Sequence, residues 1–108
     1  MKVIVGKTNG NSKEVIEEIK NIAEKVELIL VVGDKKSVEV NQMYQISLKE
    51  CGNAMIIETM GDLYLNYIRR FRTVGVIQDI PVSQNRIDTI VDVLENTQVE
   101  GYIYEHFK

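Results

Sequence analysis

Leu28-Ile29-Leu30-Val31-Val32 is an unbroken run of branched aliphatic residues, bounded by Glu27 and Gly33. A strand with one wet face alternates apolar and polar residues, because successive side chains point to opposite sides of the sheet. This run does not alternate. It demands cover on both faces, which is the situation of a central strand in a parallel sheet with helices above and below. The rest of the chain supplies the means. Lys2–Gly6, Asn53–Glu58 and Arg72–Gln78 read as three further strands, and helical apolar spacing follows each polar turn.

The helices have recognisable starts and stops. Val15, Ile16, Ile19, Ile22, Ala23 and Val26 form one buried stripe, with Asn11 and Glu14 as a capping pair and Glu14, Glu17 and Glu18 at the positive end of the helix dipole. Val40, Met43, Tyr44, Ser47, Leu48 and Cys51 share a second face, and Gly52 can take the left-handed position that ends a helix. Leu63, Tyr64, Tyr67, Ile68 and Phe71 suggest a third helix over Asp62–Arg70. Ser83 is a natural N-cap for a fourth, whose Ile87, Ile90, Val91 and Leu94 recur at helical spacing. The fold class expected is α/β: a single three-layer domain over residues 1–108, with a mostly parallel four-stranded sheet and helices on both faces. Val99–Tyr104 stays open between a short fifth edge strand and a segment packed on a partner, and with it the order of residues 97–108.

Composition narrows the function. The 108 residues are one domain's worth of chain, 44% apolar, with 16 acidic against 13 basic side chains. That balance gives no electrostatic footprint for nucleic acid. The apolar runs are far shorter than the roughly 20 residues that cross a bilayer, and no secretory leader is visible, so the expected compartment is the cytoplasm. A single cysteine, Cys51, cannot by itself hold zinc or an iron–sulfur cluster.

In a parallel α/β sheet ligands sit beyond the carboxyl ends of the strands. The loops expected there are residues 6–12, 33–38, 58–62 and 77–83. Thr8, Asn9, Gly10, Asn11 and Ser12 offer amides and hydroxyls at a helix N-terminus, the layout of an anion cradle, although they also suffice as a turn and a cap. Lys35, Lys36 and Ser37 could hold a second anionic group, or form a solvated turn whose neighbours Asp34 and Glu39 oppose one. A small phosphorylated ligand is the guest such loops would take. No residue stands out for acid–base or nucleophilic catalysis, and none for metal binding. Arg69, Arg70 and Arg72 suit a helix C-terminus, and His106 lies in the terminal segment.

Several segments together carry a family resemblance. They are Ala23-Glu24-Lys25-Val26-Glu27-Leu28-Ile29-Leu30-Val31-Val32-Gly33, Lys35-Lys36-Ser37, Met43-Tyr44-Gln45-Ile46-Ser47, Ile57-Glu58-Thr59 with Asp62-Leu63, and Thr73-Val74-Gly75-Val76. Over about residues 4–94 the chain resembles the C-terminal lobe of the LytB/IspH family, the iron–sulfur hydroxymethylbutenyl diphosphate reductases of isoprenoid synthesis. The resemblance implies three similar lobes around a 4Fe-4S cluster, with one cysteine from each lobe and the substrate diphosphate held by serines and an asparagine of the third. Mapped here, the cluster cysteine falls at about Asn9. The Ser-x-Asn motif becomes Ser37 and Glu39, and Gly-Ala-Ser-Thr-Pro becomes Asp79-Ile80-Pro81-Val82-Ser83, which leaves Ser83 as the remaining hydroxyl.

The expectation is therefore a divergent lobe of this type with no cofactor of its own. It would not be catalytic alone, and it would bind a phosphate or diphosphate or serve as a module of a larger assembly. Its partners would be other lobes or a second copy. The competing class is a flavodoxin-like FMN carrier, since Lys7–Ser12 also resembles a flavin phosphate loop, and a third is a protein-interaction domain with no small ligand.

Overall fold

The computed structural model describes residues 1–6 and 12–100. In chain order the elements are β1 (Lys2–Val5), α1 (Ser12–Ala23), β2 (Leu28–Val32), α2 (Val38–Cys51), β3 (Ala54–Ile57), a 3₁₀ turn (Met60–Asp62), α3 (Leu65–Ile68), β4 (Thr73–Gln78) and α4 (Gln84–Glu95). The four strands form one sheet in the order β1-β4-β2-β3, every pair parallel. The α/β class expected from the sequence is the one observed.

β2 lies between β4 and β3 and all five of its residues are buried. Its side chains divide by parity. Leu28, Leu30 and Val32 enter one core with Val74, Val76, Ile87, Ile90 and Leu94, whereas Ile29 and Val31 enter the other with Ile19, Ile22, Val40 and Met43. Strand order accounts for which helices cover which face. The steps β1 to β2 and β2 to β3 run in the same direction across the sheet, and β3 to β4 runs back. With right-handed crossovers, α1 and α2 fall on one face, and α3, followed by α4, on the other.

Local signals act as the residue types dictate. Gly52 ends α2 at φ 93°, its N–H bonded to the carbonyl of Leu48 at 2.9 Å. Ser37 and Ser83 cap α2 and α4, accepting from the N–H groups of Val40 and Arg86 at 3.3 Å each. Between β3 and β4 the structure departs from the Asp62–Arg70 helix that the apolar spacing suggests. Asp62 closes a capping box with Thr59 and ends a 3₁₀ turn, so regular helix is confined to Leu65–Ile68. The Asn11 cap, and Val99–Tyr104 as a fifth strand beyond Glu100, lie outside the described residues.

Gly75 in β4 shows how closely α1 approaches the sheet. A Cβ there would stand 2.5 Å from Ile22 Cγ2 and 3.2 Å from Val26 Cγ2. Both contacts are with branch methyls close to the backbone, one on α1 and one on the turn that follows it, so relief requires that segment to move. Gly75→Ala is expected to destabilise the protein by about 1–3 kcal/mol. Urea unfolding measures this, and a variant as stable as the parent would show that α1 is not packed as described.

Candidate functional site

The strand order that divides the helices also opens the chain at one end. β2 leads into α2 on one face and the adjacent β4 leads into α4 on the other, so the polypeptide parts between their carboxyl ends, where α/β sheets hold ligands. A cleft of about 710 Å³ lies there. The turn after β2 contributes Gly33, Asp34 and Ser37, and the first turn of α2 adds Glu39. Glu58 and Thr59 come from the end of β3. Asp79, Pro81, Val82, Ser83 and Arg86 come from the end of β4 and the first turn of α4.

The loop after β2 is tied to the loop after β3. Lys35 donates its backbone N–H to Glu58 Oε1 at 3.1 Å, and its Nζ reaches Asp62 Oδ1 at 2.7 Å. The other oxygen of Asp62 accepts the N–H groups of Glu58 and Thr59 at 2.9 and 3.0 Å. Asn41 Nδ2 braces the same turn by donating to the carbonyls of Lys35 and Ser37, each at 2.8 Å. One carboxylate thus holds two site loops in register through three donors. The Lys35 ammonium, followed by those two amides, holds the Asp62 carboxyl down to about 2 from an ordinary 3.8. Asp62 raises the Lys35 ammonium in return.

The charge around the cleft is mainly negative. Asp34, Glu39, Glu58 and Asp79 line it against one guanidinium, that of Arg86. Asp34 Oδ1 accepts the N–H of Lys36 at 2.7 Å, and this bond, then the Glu58 side chain, keeps the Asp34 carboxyl below its usual range. Glu39 turns back on the cap of its own helix, accepting the Ser37 hydroxyl at 3.0 Å. Asp79 Oδ1 accepts the N–H of Ile80 at 3.0 Å.

Of the residues singled out from sequence, Ser37 and Ser83 meet at this cleft. Lys35 lines a separate shallow groove beside β3 with Asn41, Tyr44 and Met55, and Lys36 is exposed on the turn. Thr8, Asn9, Gly10 and Asn11, and the side chain of Ser12, lie outside the described residues, as does His106. Sequence reasoning named the loops that carry Glu58, Asp62 and Asp79 but missed Arg86. The available signal was its place three residues after the Ser83 cap, where a helix-start side chain lies beside the strand ends.

The family's iron–sulfur cluster finds no ligand set among the described residues. Among these residues, no group of three or more His, Cys, Asp or Glu is placed to hold a metal ion. Cys51, the one cysteine of the sequence, ends α2, about 20 Å along that helix from the cleft. Its thiol donates to the carbonyl of Val26 at 3.5 Å, and burial raises its pKa, the reverse of what a cluster thiolate needs. No helix among the described residues is long and apolar enough to cross a membrane.

The Asp62 tie generates a pH signature. Because its carboxyl titrates at about 2 in the fold and near 3.9 when unfolded, the stability it adds is fully present above about pH 4 and is lost as pH falls toward 2. Asp62→Asn should be less stable than the parent at pH 7, with the difference shrinking as pH drops from 4 to 2. Denaturant midpoints at three pH values check this, and a gap that does not narrow would rule out the ion pair as its source.

Comparison with known proteins places this geometry. Two 4-hydroxy-3-methylbut-2-enyl diphosphate reductases are similar in sequence. That of Shewanella halifaxensis is 26% identical over 91 residues, covering 79% of this chain and 29% of that protein. That of Fusobacterium nucleatum is 32% identical over 74 residues, covering 68% of this chain and 9% of that protein. The fold is similar to the solved diphosphate reductase of Plasmodium falciparum, with a TM-score of 0.73 at 17% identity over 82% of this chain and 28% of that one. A second solved hydroxymethylbutenyl diphosphate reductase gives 0.70 at 19% identity, over 86% of this chain and 43% of that one. The chain thus spans about 30% of the length of the Shewanella relative. The LytB protein family matches residues 6–95, and the chain belongs to that family.

Proposed function

We propose that this chain serves as the ligand-holding lobe of a LytB-type assembly that reduces an isoprenoid diphosphate, with the iron–sulfur centre and the general acid supplied by other lobes. The observation that carries this reading is the convergence of Ser37 and Ser83, the caps of two different helices, on one cleft at the carboxyl ends of β2 and β4. The N-termini of α2 and α4 bring the positive ends of two dipoles to that place, which suits a phosphate oxygen. The four carboxylates act against a highly charged anion, so the affinity expected is modest.

Two exposed apolar residues support a neighbouring lobe or a second copy at this end of the sheet. Val38 and Ile80 are 66% and 67% exposed and flank the cleft where α2 begins and β4 ends. The FMN alternative has less support. Among the described residues that line the cleft none is aromatic, so they offer a flavin ring nothing to stack on.

A thermal-shift titration with pyrophosphate, an isoprenoid diphosphate and FMN tests the reading. Ligand at tenfold its Kd adds about 1.4 kcal/mol by mass action, a rise of roughly 5–10 °C for a chain of this size. A rise with the diphosphates, absent with sodium chloride of matched ionic strength, is expected. A rise with FMN alone would instead favour the electron carrier, and no rise with any of the three would leave a protein-interaction lobe.

A further inference from the structure

We propose that Arg86 anchors the anionic end of the ligand in the cleft. The inference rests on the ligand-holding reading and names the residue on which it turns.

Among the described residues that line the cleft, Arg86 is the single cationic side chain. It is half-buried, and its guanidinium makes no ion pair or hydrogen bond among the described residues, although four carboxylates share the same walls. Those carboxylates are engaged locally, each accepting from a backbone N–H or a hydroxyl of its own or the facing loop. The guanidinium therefore keeps its forked donors, a geometry that matches two phosphate oxygens at once.

The surroundings hold Arg86 in place. Its backbone N–H is bonded to Ser83 Oγ, and Ile87, Ile90 and Leu94 fix the register of α4 in the core. Ser83 and the N-terminal dipole of the twelve-residue α4 add to the positive potential beside it. The lysines named from sequence are placed otherwise. Lys35 Nζ is spent on Asp62, and Lys36 does not line the cleft.

Calorimetric titration of the whole chain with inorganic pyrophosphate at low salt tests this. The parent is expected to bind. Arg86→Gln should weaken binding about ten- to hundredfold with an unchanged melting temperature in the absence of ligand, and Arg86→Lys should recover part of the loss. An Arg86→Gln variant that binds within about twofold of the parent overturns the assignment while leaving the ligand-holding reading intact, all the more clearly where Lys36→Gln abolishes binding. A parent that does not bind pyrophosphate overturns both. Should Arg86→Gln fail to fold, the arginine Nε–H resonances of the parent decide. One of the four arginine side chains must shift downfield on adding pyrophosphate, and it must be the signal missing from Arg86→Lys.

Discussion

Burial of β2 on both faces is the constraint on which the rest of the molecule depends. Five aliphatic side chains cannot be covered by one layer, so three goes of the chain across the sheet must place helices on opposite sides. Right-handed crossovers leave one way to do this with the strand order observed, and that way separates α2 from α4 just beyond the paired ends of β2 and β4. The cleft is a by-product of core formation. Its position was settled by hydrophobic cover before any polar residue in it had a role.

What fills that cleft follows from how helices begin. Each helix that starts there has unpaired N–H groups, and a serine at the cap satisfies one of them while leaving its oxygen at the strand ends. The same residues that stop the helices from fraying therefore furnish the hydroxyls of the site. Asp62 does a comparable double duty. It terminates the turn after β3 and, through Lys35, helps fix the turn after β2, a tie that Glu58 shares by accepting the Lys35 backbone N–H.

The fold was largely legible because its signals are local or periodic. The run Leu28–Val32, the cap at Ser83 and the left-handed Gly52 each carry their meaning within a few residues. The third helix is shorter than its apolar spacing suggests for the opposite reason. Leu63, Tyr64, Tyr67 and Ile68 have helical spacing, yet the hydrogen bonds of Asp62 to Glu58 and Thr59 turn the chain before a full helix can start. Long charged side chains were the least legible part of the site. Lys35 finds its partner 27 residues away, and although the Ser83 cap places Arg86 in the first turn of α4, the walls it shares are set by which strand ends α4 abuts, which depends on topology.

Membership of the LytB family and the absence of a cluster ligand set among the described residues fit together once packing and chemistry are separated. What covering β2 demands of this sequence is apolar parity along the strands, close helix approach at Gly75 and caps at the helix starts. Thiolates are not among them. A cysteine beside the strand ends adds little to the core, whereas Cys51 at the far end of α2 fills space and bonds a carbonyl. The architecture and the capping hydroxyls follow from the core and the helix starts, so they stand independently of the charges around them, which among the described residues of the cleft are four carboxylates and the Arg86 guanidinium.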